Sequence, residues 1–317
     1  MTQVLTQFKL AWIDYKKDWG LGRSSYLVIL FNSTLFLYSG LALGTFSFRI
    51  LIPVLVALTF LLVRSYAIAG TSVRLLVFTS IILYFVVGYN YYLVGILDGL
   101  AGGARRFDAT FANFDLNLLG IPVANFIQNA TKGTGAVAEV VYDLVMSSYL
   151  IYYLLPFYGV ILYFRELNEE NRYLLGRYAV SFIIYFTAQY LFYLMVPVSG
   201  PQFYLKEYFT APLPLSGYGR ALHGLISGAQ TTFIDCFPSG HVGISLLVTI
   251  WLVRINHPQR VIMYAVTCSI ATATLALRYH YLLDLAASLP LALLCYKLAH
   301  WMYPVSIAPH LRRRERT

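Results

Sequence analysis

Eight long apolar runs divide this chain, at about 26–46, 49–69, 74–96, 137–164, 178–197, 241–256, 260–277 and 280–303. A helix needs about 20 mostly apolar residues to cross a bilayer, and most of these runs meet that length. Arg64 interrupts the second, and only Arg278 and His280 mark the break between the last two. The composition agrees. Only 12% of the 317 residues are charged, about half the share of a soluble domain. A further 16% are aromatic, with 27 tyrosines, as expected where rings gather at membrane interfaces. A chain with so little charge cannot cover itself in water. The reading is an all-α polytopic membrane helical bundle of about eight transmembrane helices.

The formal net charge of +9 is not a nucleic-acid footprint, because the basic residues sit between apolar runs rather than on one hydrophilic face. Their distribution is that of loops obeying the positive-inside rule. With both termini cytoplasmic, the cytoplasmic segments hold 15 Lys and Arg and the opposite side seven, with Lys297 inside the last span. The implied partner is the lipid bilayer, with no nucleic acid, and nothing indicates an oligomeric state.

No cleavable signal peptide is evident. Leu5, Phe8, Trp12, Tyr15 and Trp19 recur at spacings of three and four, which predicts an interfacial amphipathic helix over 1–25. Transmembrane helices then fill 26–96, a long outer loop 97–136, a catalytic transmembrane core 137–303, and a basic cytoplasmic tail 304–317. A second long outer loop covers about 198–240. Long loops in compact proteins are more often functional than decorative. The three cysteines form no disulfide framework; Cys268, Cys295 and the loop residue Cys236 read as small buried hydrophobes. Asn129-Ala130-Thr131 is a glycosylation sequon on the outer side.

Of the six histidines, His257, His300 and His310 need only solvated or interfacial roles, and His223 lies in the outer loop. His241 and His280 stand apart, each at the outer end of an apolar span. The first belongs to Cys236-Phe237-Pro238-Ser239-Gly240-His241. That string reads as a helix entry whose N–H groups and dipole favour an anion, with a histidine placed to donate a proton. A plain entry capped by Ser239 fits it equally. The second belongs to Arg278-Tyr279-His280-Tyr281-Leu282-Leu283-Asp284. The four-residue spacing predicts that His280 and Asp284 share a helix face. A carboxylate on one imidazole nitrogen fixes the tautomer and frees the other nitrogen to attack. A carboxylate in an apolar span is itself a functional candidate.

Together the two segments resemble the type 2 phosphatidic acid phosphatase superfamily, whose second motif is P-S-G-H and whose third ends H-x-x-x-D. Pro238-Ser239-Gly240-His241 and His280-x-x-x-Asp284 match in full, in the right order and on the same membrane face. The resemblance covers about 137–303 and implies a six-helix core. It implies that His280 takes the phosphoryl group, Asp284 orients it, and His241 protonates the leaving group and later activates water or an acceptor alcohol. Ser239 and Gly240 would cradle the phosphate. It implies neither a metal nor a cofactor, and a phosphorylated membrane lipid as substrate.

Two departures matter. The first motif, K-x6-R-P, has no counterpart; Val198-Ser199-Gly200-Pro201-Gln202-Phe203-Tyr204-Leu205-Lys206 stands in its place. The third motif's opening Ser-Arg is replaced by Ala273 and Thr274. Phosphoryl transfer needs its equatorial oxygens neutralised. Arg278 is the first candidate for that work, followed by Lys206, Arg220 and the Arg105–Arg106 pair, with Gln202 adding a neutral hydrogen bond. The Arg-x-His-Tyr-x-x-Asp string also resembles the sphingomyelin synthase and inositol phosphorylceramide synthase branch. The expected activity is therefore a lipid phosphate phosphatase acting at the non-cytoplasmic face, with a headgroup phosphotransferase as the alternative. An intramembrane serine protease using Ser239 leaves Asp284 and His241 without duties. A non-catalytic lipid-binding or transport protein would keep the fold alone.

Overall fold

The computed structural model describes residues 21–70, 73–101, 106–158 and 169–302. Residues 1–20 of the amphipathic helix expected over 1–25, the glycines 102 and 103 with Arg105, and the basic tail 304–317 lie outside these residues. Each apolar run named above overlaps a helix among them: α1 (Leu21–Leu41), α2 (Ile52–Gly70), α3 (Val73–Leu100), α6 (Ala136–Ile151), α7 (Glu169–Met195), α10 (Gly240–Arg254), α11 (Arg260–Ala276) and α12 (Leu282–Met302). Four stretches are long and apolar enough to cross a membrane: Arg23–Leu41, Ala136–Tyr158, Gly176–Met195 and Leu282–Met302. Phe48–Leu62, Gly240–Arg254 and Arg260–Ala276 are shorter apolar helices. The chain is an all-α, polytopic membrane bundle.

The two stretches read as long loops carry helices of their own. Between 97 and 136 lie α4 (Asp108–Leu119) and α5 (Val123–Ala130); between 198 and 240 lie α8 (Pro201–Tyr204) and α9 (Gly217–Ala229). Hydropathy misses them because they are short and mixed. Their signal is periodic instead: Asp108, Phe111, Ala112 and Asp115 are the buried residues of α4, at helical spacings of three, one and three.

Contacts divide the chain into two compact units. The first comprises Met1–Leu93, Phe157–Thr187 and Leu294–Thr317. In it α1 packs along α2 and the short turn Phe48–Leu51, and Tyr84 meets Phe157 and Phe186 edge to face at 5.2 and 5.7 Å. Such aromatic contacts suit a helix pair without a hydrophobic driving force between its members.

The second unit comprises Val94–Pro156 and Ala188–Leu293. Here α11 packs on α6, α10 and α5, and α9 packs on α6. Tyr142, Met146 and Tyr149 of α6 share a core with Ala273, Ala276, Leu277 and Tyr279. A second core joins Phe111 and Ala112 of α4 to Val198, Leu205, Cys236 and Tyr281. Polar groups between helices are paired: Thr249 bonds Thr267 at 2.8 Å, and Ser269 donates to Ser148 at 2.7 Å. The two cores bracket the segment 278–284, and so fix where its side chains can point.

Candidate active site

The Pro-Ser-Gly-His string forms the entry to α10. Ser239 is its N-cap, accepting the Val242 N–H at 3.4 Å, while its own N–H goes to the Asp284 carbonyl at 3.2 Å. Ser288 closes the link by donating to the Ser239 carbonyl at 3.0 Å. Gly240 packs closely against the Gln189 side chain. A Cβ there would lie 2.2 Å from Nε2 of Gln189, a buried α7 residue whose amide also donates to the Pro238 carbonyl at 3.3 Å and bonds Tyr193. Gly240 and His241 stand in the first helical turn, where N–H groups have no intrahelical acceptor.

His280 does not lie on a helix as its spacing predicted. Ending at Ala276, α11 gives way to Arg278, which has a left-handed φ of 68° and turns the chain. The N–H groups of Tyr279 and His280 then both reach the Thr274 carbonyl, at 3.0 and 3.1 Å. Not until Leu282 does α12 begin. The pair still meets, because Asp284 sits in the first turn of α12 and reaches back. Its Oδ2 accepts the Tyr281 N–H at 2.7 Å, a capping-box contact, and lies 3.2 Å from His280 Nδ1. A carboxylate only accepts, so Nδ1 carries the proton and Nε2 is left with a lone pair.

Cys236 completes this cluster. Its Sγ is 2.8 Å from Asp284 Oδ2, 3.4 Å from His280 Nδ1 and 3.2 Å from the Tyr279 carbonyl oxygen. Burial and the Asp284 charge push the thiol well above its usual range, which keeps it protonated and able to donate. His280, Asp284 and Cys236 are 5%, 0% and 2% exposed. Asp284 Oδ1 is buried without a hydrogen-bond partner.

His241 stands beside the cluster. Its ring centroid is 6.3 Å from that of His280. It is held between Tyr149 and Tyr152, with centroids 4.1 and 4.0 Å away, and Tyr153 approaches edge-on at 5.9 Å. Its Nε2 is buried without a partner.

The Ser-Gly-Pro segment clamps this arrangement. Gly200 has φ 95°, and a Cβ there would meet the Tyr279 carbonyl at 2.8 Å, so only glycine fits. Gln202 donates its N–H to the Arg278 carbonyl at 2.9 Å, and Cys236 donates to the Val198 carbonyl at 3.2 Å. Asp108 locks the segment from below: it accepts the Ser199 N–H and hydroxyl at 3.0 and 2.9 Å, the Gly200 N–H at 2.9 Å and the Tyr281 hydroxyl at 3.2 Å. Asp115 accepts the Leu282 N–H at 3.2 Å, opposite the start of α12. Burial, with the Asp284 charge adding to it, raises the Asp115 carboxyl to about 6.

The proposed cations are placed unequally. Arg278 donates through Nη2 to Gln128 Oε1 and the Ala211 carbonyl at 2.8 and 2.7 Å, and lies 4.3 Å over the Phe209 ring. Its Nε is buried without a partner, as are the hydroxyls of Tyr142 and Tyr279. Lys206 is exposed in a 3-10 turn, and neither its ammonium nor the Gln202 side chain bonds any described residue. Arg220 donates to the Leu215 carbonyl at 2.6 Å, and Arg106 to the Phe233 carbonyl and Asp98 at 2.8 and 3.2 Å. His223 stacks on Tyr279 at 6.1 Å, and burial with the nearby Arg278 charge pulls its imidazole below the usual range.

Sequence reasoning missed Cys236, Asp108, Asp115 and Gln189. Gln189 was visible as a lone amide within an apolar span, and the two aspartates through their shared helical face. Nothing in the sequence pairs Cys236 with residues 44 and 48 positions on.

Residues 111–298 match the family model described as the PAP2 superfamily. One curated relative is a PA-phosphatase related-family protein of Dictyostelium discoideum, 30% identical over 105 residues. That stretch is 32% of this chain, which spans only 19% of the relative's length. No solved structure matches.

Proposed function

Since the chain belongs to the PAP2 superfamily, we propose that it is an integral-membrane phosphatase of phosphorylated lipids, working through a phosphohistidine at the non-cytoplasmic face. One observation carries this reading: the buried 3.2 Å contact between His280 Nδ1 and Asp284 Oδ2, with the His241 ring 6.3 Å away. In this reading the phosphoryl group enters between the two imidazoles. His280 Nε2 attacks it as the lipid P–O bond breaks, and the departing oxygen takes its proton from His241. A water then gives a proton to His241 and attacks phosphorus, the N–P bond breaks, and phosphate leaves with both histidines restored. Asp284 keeps the Nδ1 proton in place and balances the positive charge on the phosphorylated imidazole.

The equatorial oxygens would be held by the first-turn amides of Gly240 and His241, by the Arg278 guanidinium, and by buried hydroxyl donors. Tyr142 lies within electrostatic reach of Arg278, and its hydroxyl, the Tyr279 hydroxyl and Arg278 Nε are all buried without partners. A phosphoryl group supplies the acceptors they lack. In this reading Arg278 replaces the absent first-motif cations, Gln202 and Lys206 stand at the rim, and Ser239 acts mainly as the cap that aims α10.

A second reading, transfer of the phosphorylated headgroup to a lipid alcohol, is favoured by the missing first motif and by the Arg278-Tyr279-His280-Tyr281 string. The test is turnover of a panel of phosphorylated lipids, with His280→Ala as control. Free phosphate released without added acceptor lipid supports hydrolysis. Turnover only when a lipid alcohol is added supports transfer, and no His280-dependent turnover of either kind sinks both.

A further inference from the structure

The same three side chains that set the His280 tautomer also have the makings of a metal site. Cys236 Sγ, His280 Nδ1 and Asp284 Oδ2 lie within 4.8 Å of one another and are all buried. Their separations are 2.8, 3.4 and 3.2 Å. With Zn–S of about 2.3 Å and Zn–N or Zn–O of about 2.0–2.2 Å, a tetrahedral ion needs ligand separations of about 3.4–3.6 Å. Two of the three edges are already close, and the Cys236–Asp284 edge must open by roughly 0.7 Å. A second oxygen is at hand, because Asp284 Oδ1 is buried with no partner.

We propose that Cys236, His280 and Asp284 bind a soft divalent cation, Zn2+ or Cd2+, and that its binding turns the site off. The donor set of one sulfur, one imidazole and one carboxylate suits those ions and not the hard Mg2+ or Ca2+. The charges balance as well. The ion displaces the thiol proton to solvent, so a 2+ charge faces one thiolate and one carboxylate, and the buried cluster becomes neutral. The Asp284 charge that holds the thiol protonated in the free site is compensated by the ion.

Inhibition follows from the tautomer. In the free site Nδ1 bears the imidazole proton and Nε2 the lone pair. Metal on Nδ1 takes that nitrogen's lone pair, so the imidazole proton moves to Nε2. Overall one proton, from the thiol, is released, and His280 has no electron pair left for phosphorus. The loss of activity rests on His280 being the nucleophile, whereas the binding itself does not.

The test is Cd2+ titration of the detergent-solubilised full chain, read by the ultraviolet thiolate-to-cadmium band and, in parallel, by phosphorylated-lipid turnover normalised to each protein's metal-free rate. The expected result is one band equivalent per chain, with turnover falling in step, and no effect of Mg2+. Cys236→Ser should lose the band and need at least tenfold more Cd2+ for half-inhibition, while Cys268→Ser behaves as the parent. A band kept by Cys236→Ser, or unchanged inhibition of that variant, overturns the proposal. X-ray absorption of the zinc-loaded parent needs no variant: one sulfur at about 2.3 Å supports the site, and a shell without sulfur refutes it. If no lipid is turned over by any protein, the phosphatase reading fails while the Cys236-dependent band still decides this one.

Discussion

Asp284 Oδ2 takes three donors at once: Cys236 Sγ at 2.8 Å, the Tyr281 N–H at 2.7 Å and His280 Nδ1 at 3.2 Å. The carboxylate that orients His280 is therefore itself held from two other directions, by a thiol and by a helix-cap amide. Removing the thiol leaves one fewer donor on a buried anion. Cys236→Ala is expected to lower kcat by about 10–100-fold, the range of one hydrogen bond to a charged group, with little change in KM. Cys236→Ser, which restores a donor, should recover most of it. A purely structural role for Cys236 would instead appear as equal loss in both variants together with a lowered melting temperature.

His241 is assigned to the leaving group, and its effect should depend on what leaves. With a lipid alkoxide, His241→Ala should cost about 10²–10⁴-fold, the usual range for general acid catalysis. A phosphate ester with a phenolic leaving group of low pKa needs no proton, so the same variant should lose far less on it. Comparing the two substrates measures this. Equal losses would show that His241 acts by holding the phosphate.

Asp115 gives the fold a pH dependence. Its carboxyl is raised to about 6, against an unfolded value near 3.9. The unfolded chain thus loses this proton first as pH rises, and the native state is penalised progressively between about pH 4 and 6. The penalty is complete above the folded value, on the order of 1–3 kcal/mol. Asp115→Asn still accepts the Leu282 N–H but cannot ionise. Thermal unfolding in detergent should show it flatter than the parent between pH 4 and 6, and more stable at pH 7. A parent that gains stability as pH rises through that window would reverse the sign.

Gly240 and Gln189 form a steric pair. Gly240→Ala puts a methyl 2.2 Å from the Gln189 amide, and is expected to cost about 1–3 kcal/mol as overpacking. Gln189→Ala vacates the space, so the double variant should be less destabilised than the sum of the two single changes. Strict additivity in denaturation midpoints would show that the glycine is needed for some other reason.

Much of this was legible beforehand. The bundle could be read from charge content and apolar length, since no water-soluble arrangement tolerates so little charge. The His241 and His280 strings stood out because polar residues at the ends of apolar spans are costly without a use. The reach of Asp284 was not legible: its pairing with His280 arises from a helix that starts two residues after the histidine and turns its first acid backward, not from two residues on one helix face. Asp108, Asp115 and Gln189 act across 91, 167 and 49 residues of sequence, distances that no local pattern encodes. The bonds of Arg220 and Arg106 to the backbone carbonyls of Leu215 and Phe233 were not legible either.

The central claim is a covalent bond between phosphorus and His280 Nε2. Rapid mixing with a lipid radiolabelled in its phosphate, followed by alkaline quench and separation of the protein, measures it directly. The account predicts label on the parent chain that survives alkali and is lost in mild acid, is raised in a variant slowed at the water step, and is absent from His280→Ala. Turnover with no protein-bound label at any mixing time, or label that persists in His280→Ala, would contradict it.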